Sequence, residues 1–214
     1  VLGVAALEGQ GQDLLFEVMA GERNLTNGEI YVKGEKVDFK HPSDAIAKGI
    51  SLVPGDRKSA LLPQRSIREN LALTRFRGLK NWRKVNSKEE TKRVDDAVSA
   101  LQIDTRAASQ VRRLSGGNQQ KVTVGRWVTT GFDLLLCFDP TRGIDVGAKD
   151  EIYKLLSRLA SEGKSVIMIS SELPEVLRLS DRIAVMCEGR LTGIVENKDA
   201  DQNSLMQLAT KFRD

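Results

Sequence analysis

Residues 114–121 read Leu-Ser-Gly-Gly-Asn-Gln-Gln-Lys, and this octapeptide constrains the fold more than any other stretch of the chain. Two adjacent glycines allow a backbone to approach a ligand closely, and Ser115 adds a hydroxyl donor. Serine is favoured immediately before a helix, so we predict a helix N-terminus from Ser115 onward. The unpaired N–H groups and the positive dipole end of such a terminus attract anions. The simpler interpretation is an ordinary loop followed by a helix start.

A second motif downstream favours the functional interpretation. Residues 138–145 read Phe-Asp-Pro-Thr-Arg-Gly-Ile-Asp, and they follow the apolar run Leu-Leu-Leu-Cys at residues 134–137. A continuously apolar run of this length is typical of a strand that is buried on both faces of a parallel sheet. Two motifs in this order are difficult to attribute to an ordinary loop.

The composition is that of a globular protein without a membrane-spanning segment. Apolar residues make up 40% of the 214 and charged residues 29%, and no apolar run is long enough to cross a bilayer. The net charge of +4 is compatible with nucleic acid, but basic residues are interleaved with acidic ones, as in residues 88–93. This mixture of charges is typical of a solvated helix face, so we expect no nucleic-acid partner. Cys137 and Cys187 lie in apolar runs without metal-ligand spacing, and we expect buried thiols and no metal site.

Strands and helices alternate along the chain. An apolar run over residues 1–7 leads into Gly9, Gly11 and a helical pattern, which predicts a strand, a glycine turn and a helix. Since this strand has no turn or cap before it, we expect the chain to be a segment of a longer protein. Further strands are predicted at residues 29–32, 50–53, 134–138, 165–169 and 183–186, and helices at residues 152–159 and 174–179. The alternation predicts an α/β fold with a mostly parallel sheet, interrupted by a helical insertion at about residues 66–113.

In this order the motifs resemble the nucleotide-binding domain of ABC transporters. The resemblance covers nearly the whole chain and rests on the glycine turn, VPGDR at residues 53–57, the octapeptide, DPTRGIDVGAK at residues 139–149 and SSELPEV at residues 170–176. The residues of these motifs are similar to those in the C-terminal half of tandem ATP-binding proteins in simple-sugar importers of the ribose and galactose type. It implies one P-loop NTPase-like domain over residues 1–214, with an antiparallel β portion beside the parallel sheet and a helical subdomain at about residues 66–113.

The glycine turn departs from a functional P-loop. A P-loop reads GxxxxGK[ST], so that backbone N–H groups and a lysine hold phosphates and a hydroxyl holds Mg²⁺. The corresponding nucleotide-binding residues of this chain are Glu8, Gly9, Gln10, Gly11, Gln12 and Asp13. Gln12 brings no charge to the lysine position, and Asp13 replaces the hydroxyl. The carboxylates of Glu8 and Asp13 repel a polyphosphate, so we expect a degenerate loop.

The carboxylates before Pro140 also depart from the family pattern, which reads Asp-Glu-Pro. An ungapped alignment places Phe138 at the metal-binding Asp and Asp139 at the catalytic Glu, one methylene too short. A displacement near 1 Å can cost roughly a hundredfold in rate. A one-residue gap instead makes Asp139 the metal-binding acid and leaves no catalytic Glu. Under either alignment one carboxylate is missing, and Asp139 is the one candidate catalytic residue.

Two further positions differ from the family. Gly55 in VPGDR occupies the place where sugar importers often carry Glu, in the segment that couples the site to the membrane subunit. Ser171 in SSELPEV occupies the switch position that carries His in active sites. Neither glycine nor a neutral hydroxyl can replace a carboxylate or an imidazole. We therefore expect this domain alone to be a weak or inactive ATPase.

The resemblance implies that two nucleotide-binding halves pair head to tail, with each ATP between the P-loop of one half and the signature of the other. It implies that the signature residues of this chain contact ATP and Mg²⁺ that are held by the N-terminal half of the same chain. These signature residues are Ser115, Gly116, Gly117, Asn118 and Gln119. It assigns the D-loop to Gly143, Ile144 and Asp145. The implied partners are this N-terminal half, membrane permease subunits and, indirectly, a periplasmic or extracellular solute-binding protein. The implied location is peripheral, on the cytoplasmic face of a bacterial membrane.

Two other functions are compatible with parts of the sequence. A soluble ABC protein that acts in repair or translation would fit the basic charge, although the GIDVGAK and SSELPEV motifs favour an importer. A regulatory interaction module would need no nucleotide. Nucleotide binding by the chain would argue against this function, whereas an absence of binding would not separate it from the importer domain.

Overall fold

The computed structural model of the chain describes residues 1–76, 87–104 and 110–212. The chain divides into two compact units. The first consists of Val1–Leu52, Asp133–Asp139 and Ser157–Asp214, and the second of Val53–Phe132 and Pro140–Leu156. The predicted helical subdomain at residues 66–113 falls within the second unit, and its residues 77–86 and 105–109 lie outside the described part of the chain.

A six-stranded sheet forms the centre of the first unit. Its strands are β1 (Leu2–Ala6), β4 (Ile50–Val53), β5 (Leu134–Phe138), β6 (Ser165–Ile169), β7 (Arg182–Cys187) and β8 (Arg190–Glu196). A separate antiparallel hairpin contains β2 (Ile30–Val32) and β3 (Glu35–Val37). The sheet order is β4-β5-β6-β1-β7-β8, with β1 parallel to β6 and β7, β5 parallel to β6, and β8 antiparallel to β7. The predicted α/β fold with a mostly parallel sheet and an antiparallel portion is confirmed.

Nine described helices lie between and after the strands, and they are found in both units. They are α1 (Gln12–Met19), α2 (Pro42–Ala47), α3 (Arg57–Ala60), α4 (Ile67–Ala72), α5 (Ser87–Ala100), α6 (Gly116–Thr130), α7 (Val146–Ser161), α8 (Leu173–Leu179) and α9 (Gln202–Ala209). Short 3₁₀ turns lie at Leu73–Phe76, Val111–Arg113 and Asn197–Asp199. None of the described helices combines the length and the apolar character that crossing a bilayer requires.

The core of the first unit is built around the apolar run that the sequence placed in a buried strand. Leu135, Leu136 and Cys137 of β5 are fully buried, and Phe16 of α1 meets Phe138 edge to face, with ring centroids 6.2 Å apart. Burial of each large apolar side chain contributes about 1.5–3 kcal/mol. The same burial raises the pKa of the Cys137 thiol. Both cysteines are buried free thiols, as predicted.

The parallel strands bring three sequence motifs to one edge of the sheet. Val4 of β1 and Phe138 of β5 both pair with Ile169 of β6, so the carboxyl ends of these three strands lie side by side. Ligand sites of open α/β sheets form at this edge. The glycine turn, Asp139 and Ser171 all follow these strand ends and therefore belong to one site region.

The second unit holds the octapeptide at the start of α6. Gly125 lets this helix approach its neighbours closely, because an added Cβ would lie 2.7 Å from the Leu71 side chain and 2.8 Å from that of Leu101. The buried Lys121 pairs with Glu151 at 2.8 Å and donates to the carbonyl of Gln102 at 3.2 Å. Close packing and a buried cation thus fix the helix that presents Ser115.

Candidate functional site

Ser115 is the N-cap of α6, as the sequence predicted. Its side-chain oxygen accepts hydrogen bonds from the backbone N–H of Asn118 at 3.3 Å and from the Asn118 amide Nδ2 at 3.1 Å. An oxygen that accepts two hydrogen bonds retains its own hydrogen for a further acceptor. Because Ser115 is exposed at the positive end of a 15-residue helix, this hydrogen is suited to an anion such as a phosphate.

The two glycines that follow are required by packing within the second unit. A Cβ on Gly116 would lie 3.1 Å from Cγ2 of Ile144 and 3.2 Å from the Arg57 guanidinium. A Cβ on Gly117 would lie 2.5 Å from the Cβ of Ala148, which is closer than such atoms pack. The missing side chains therefore let the signature segment lie directly against residues 143–148.

The amides of Asn118 and Gln119 bond within the chain. Asn118 Oδ1 accepts from the backbone N–H of Asp104 at 3.1 Å, while its Nδ2 holds Ser115. Gln119 Nε2 donates to the carbonyls of Val111 at 3.3 Å and Leu114 at 3.2 Å. Both side chains thus orient the signature serine and the loop before it, through hydrogen bonds to other groups of the chain.

The residues predicted as the D-loop precede α7. Gly143 has a φ of +66°, a conformation that glycine adopts readily. The carboxylate of Asp145 accepts from the backbone N–H of Ala148 at 2.9 Å and caps α7 in the manner of a helix N-cap. Ile144 lies between these two and packs beside Gly116. The signature and the D-loop residues therefore form one continuous surface of the second unit.

Gly55, the predicted coupling position, lies in the loop between β4 and α3. Asp56 follows it and caps α3, since its carboxylate accepts from the backbone N–H of Lys58 at 2.9 Å. Gly55 is half-buried and brings no side chain to this loop.

The glycine turn of the first unit is stabilised by its own glutamines. Gly9 and Gly11 have φ values of +75° and +92°, and α1 begins at Gln12 with Gly11 as its N-cap. The buried Gln10 accepts from the backbone N–H of Glu188 at 2.6 Å through its side chain, and from that of Gly189 at 2.9 Å through its carbonyl. The turn is thereby tied to the β7–β8 connection.

Gln12 closes the same turn from inside. Its Nε2 donates to the carbonyl of Leu7 at 3.1 Å, and the residue is only 6% exposed. Within the described residues its Oε1 is buried without a hydrogen-bond partner. A buried neutral amide therefore occupies the position that the sequence comparison predicted to correspond to the P-loop lysine. Glu8 and Asp13 are exposed on either side of it.

Asp139 faces the switch segment. Its φ is +41°, its backbone N–H donates to the carbonyl of Ile169 at 2.8 Å, and its carboxylate accepts from the backbone N–H of Ser171 at 2.7 Å. Phe138 is half-buried and packs edge to face against Phe16 at the border of the core. In the described part of the chain no group of three or more His, Cys, Asp or Glu side chains is placed to hold a metal.

Two features of the site were not predicted from the sequence. Arg57 reaches the octapeptide and the D-loop, and Gln10 holds the glycine turn to the β7–β8 connection. Both are polar side chains whose partners lie far away in the sequence. In the sequence, only the position of the polar Gln10 between two glycines indicated that its side chain has a role in the turn.

Fold and motif order together define an ATP-binding cassette, and the chain belongs to the ABC transporter family, whose profile matches residues 2–142. It is similar to the ribose import ATP-binding protein RbsA of Clostridium tetani, with 40% identity over 99% of this chain and 43% of that protein. It is 42% identical to the galactose/methyl galactoside import ATP-binding protein MglA of the same species, again over 99% of this chain and 43% of that protein. The chain thus spans less than half the length of these curated relatives.

Solved structures confirm the fold. The ADP conformation of MJ1267, an ATP-binding cassette of an ABC transporter, superposes with a TM-score of 0.80 at 19% identity over 100% of this chain and 85% of that one. The cassette MJ0796, solved as a dimer in a post-hydrolysis state with ADP and Pi, gives a TM-score of 0.74 at 20% identity over 92% of this chain and 84% of that one.

Proposed function

We propose that the chain is the C-terminal nucleotide-binding half of a tandem ATP-binding protein that energises a bacterial sugar importer. Its signature segment completes an ATP site on the N-terminal half, and its own glycine turn is a silent site. The observation that carries this asymmetry is the contrast between two side chains. Ser115 caps a helix and keeps its hydroxyl hydrogen, whereas Gln12 is buried and donates to Leu7.

The importer function is supported by the relatives of the chain. They are named as ribose and galactose import ATP-binding proteins, and this chain matches 43% of their length, which leaves room for a second half. A similarly folded cassette forms a dimer with ADP and Pi. The other partners in this function are membrane permease subunits and, indirectly, an external solute-binding protein, with the chain on the cytoplasmic face of the membrane.

The residues of the glycine turn do not fit a Mg²⁺-bound triphosphate. Gln12 carries no charge, its donor is engaged with Leu7, and Asp13 adds a carboxylate where a hydroxyl ligand is needed. The carboxylate of Asp139 is already held by Ser171. Phosphoryl transfer depends on positioning and on positive charge around the phosphates. No step of hydrolysis is therefore assigned to this turn.

The signature surface does fit a phosphate presented by a partner. A nucleotide bound there supplies the phosphoanhydride bond whose cleavage drives transport. The role of this chain is to donate the Ser115 hydroxyl and to present the positive N-terminal end of α6, which stabilise negative charge without a cation. The lysine, the metal ligands and the catalytic carboxylate come from the other half.

Calorimetry with Mg-ATP tests the silent site. We expect no saturable binding by this chain tighter than about 1 mM, since the usual cation is absent. Thermal unfolding on the same sample verifies that the chain is folded. Micromolar binding with cleavage of the γ-phosphate would contradict the assignment.

A further inference from the structure

Arg57 contacts three separate segments of the second unit. It is the first residue of α3 and is half-buried. Its Nε donates to Gln119 Oε1 at 3.3 Å, its Nη1 to the carbonyl of Arg142 at 2.8 Å, and its Nη2 to the carbonyl of Gly143 at 3.1 Å. One side chain therefore joins the loop after β4, the signature helix and the segment that leads into α7.

The geometry of these contacts is specific to arginine. A guanidinium presents its donors in a rigid planar fork, whereas a lysine ammonium is a compact charge that reaches fewer fixed acceptors at once. The carbonyls of Arg142 and Gly143 are adjacent, so the two terminal nitrogens match them as a pair. Gly116 leaves the space for this fork, because a Cβ there would lie 3.2 Å from Nη2.

Gln119 extends the contact to the signature serine. Its oxygen accepts from Arg57, while its nitrogen donates to the carbonyl of Leu114, the residue immediately before Ser115. The Gln119 side chain alone thus connects Arg57 by hydrogen bonds to the loop before Ser115. On the other side, Arg57 holds the carbonyl of Gly143, two residues before the Asp145 cap of α7.

We propose that Arg57 is a positioning residue that fixes the distance between the signature serine and residues 142–145. This role rests on the proposed function, in which both segments face the ATP site of the partner half. Without the guanidinium, the two segments lose the hydrogen bonds that link them and keep only the packing of Gly116 and Gly117 against residues 143–148. The Ser115 hydroxyl then no longer meets the phosphate in a fixed position. A displacement near 1 Å can lower a rate by roughly a hundredfold.

The test uses the full tandem protein with its permease, in three variants. Arg57→Gln removes the charge and the fork, Arg57→Lys retains the charge alone, and Arg65→Gln is the control. Arg65 lies in the same unit, but its ion pair is an exposed one with Glu69. We expect Arg57→Gln to lower kcat for ATP hydrolysis at least about tenfold, with KM changed less than about threefold. Arg57→Lys should recover part of this loss. Arg65→Gln should have the kcat and KM of the wild type.

Hydrogen exchange provides a readout that does not depend on catalysis. In Arg57→Gln, amide exchange should quicken at residues 115–119 and 142–148 and stay unchanged in the strands of the first unit. If Arg57→Gln does not fold, the same comparison is made with Arg57→Lys, for which a smaller change in the same segments is expected. Exchange that rises evenly over the whole chain would overturn the positioning role, since it indicates only lost stability.

Ser115→Ala in the same assay separates this role from the proposed function. If Ser115→Ala abolishes hydrolysis but Arg57→Gln leaves kcat unchanged, the role of Arg57 is wrong and the composite site stands. If Ser115→Ala leaves hydrolysis intact, the composite site itself is wrong.

Discussion

The carboxylate of Asp139 accepts a hydrogen bond of 2.7 Å from the backbone N–H of Ser171. Asp139 thereby joins the end of β5 to the segment after β6, at the sheet edge where the glycine turn also lies. Its backbone has a φ of +41°, which side chains other than those of Asn and Asp adopt at a cost. The candidate catalytic residue Asp139 therefore has a structural role in linking these two segments.

This support predicts a difference between two substitutions of Asp139. Asp139→Ala removes the acceptor and leaves a β-carbon at positive φ, so we expect a loss of about 1–3 kcal/mol in the free energy of unfolding. Asp139→Asn keeps a carbonyl acceptor and tolerates this conformation, so its loss should be below about 1 kcal/mol. Urea unfolding of both variants measures the difference. Equal losses would show that the contact with Ser171 contributes little.

The contact between Gly117 and Ala148 predicts a rescue. Gly117→Ala places two β-carbons 2.5 Å apart, and overpacking of this kind costs about 1–3 kcal/mol. Ala148→Gly removes the second carbon, so the double variant Gly117→Ala/Ala148→Gly should recover most of the stability that Gly117→Ala loses. Thermal unfolding of the two single variants and the double variant gives the coupling between the sites. Strictly additive effects would indicate that the packing has been misinterpreted.

Glu69 predicts a pH-dependent contribution to stability. Hydrogen bonds from the Ser66 backbone N–H and hydroxyl lower the pKa of the Glu69 carboxyl in the capping box of α4. A lowered pKa means that the stabilisation is present above the unfolded pKa, about 4.3, and is lost as the pH falls through the folded value. Glu69→Gln keeps a capping-box residue without the charge. The stability difference between wild type and Glu69→Gln should shrink as the pH falls from about 7 to about 3, and a constant difference would contradict the shift.

The sequence predicted the central elements well because buried strands of a parallel sheet are continuously apolar, as in β5 and β6. It did not predict β8 or α9. Leu191 and Ile194 of β8 are 60% and 55% exposed, so this edge strand has no buried run to reveal it.

The site was only partly predictable for a similar reason. The helix start at Ser115 follows from local preferences. The contacts of Gln12 with Leu7 and of Asp139 with Ser171 depend on side-chain orientation, which spacing does not encode. The contact of Arg57 with Gly143 joins residues 86 positions apart, and no local pattern reveals it.

Under the proposed function, restoring nucleotide hydrolysis at the glycine turn should need more than one change. Gln12→Lys supplies the missing cation, but Phe138 remains packed on Phe16 and the Asp139 carboxylate remains held by Ser171. Since catalytic groups act as a unit, we expect Gln12→Lys to raise nucleotide affinity less than about tenfold and to leave hydrolysis by this site near zero. The assay is single-turnover hydrolysis in a tandem protein whose other site is disabled. A large rate gain from this one substitution would show that the positions of Phe138 and Ser171 have been misjudged.

The central proposal is that the two ATP sites of the tandem protein are unequal. Single-turnover hydrolysis by the tandem protein with both sites otherwise intact tests this proposal most directly. The comparison is between Ser115→Ala and Gln12→Ala, with Ser66→Ala as the control for a lost helix cap in the same unit. Loss of a donor that stabilises developing charge typically costs about a hundredfold or more. We expect a loss of this size for Ser115→Ala and rates within about twofold of wild type for Gln12→Ala and Ser66→Ala. A normal rate in Ser115→Ala together with a large loss in Gln12→Ala would contradict the proposal.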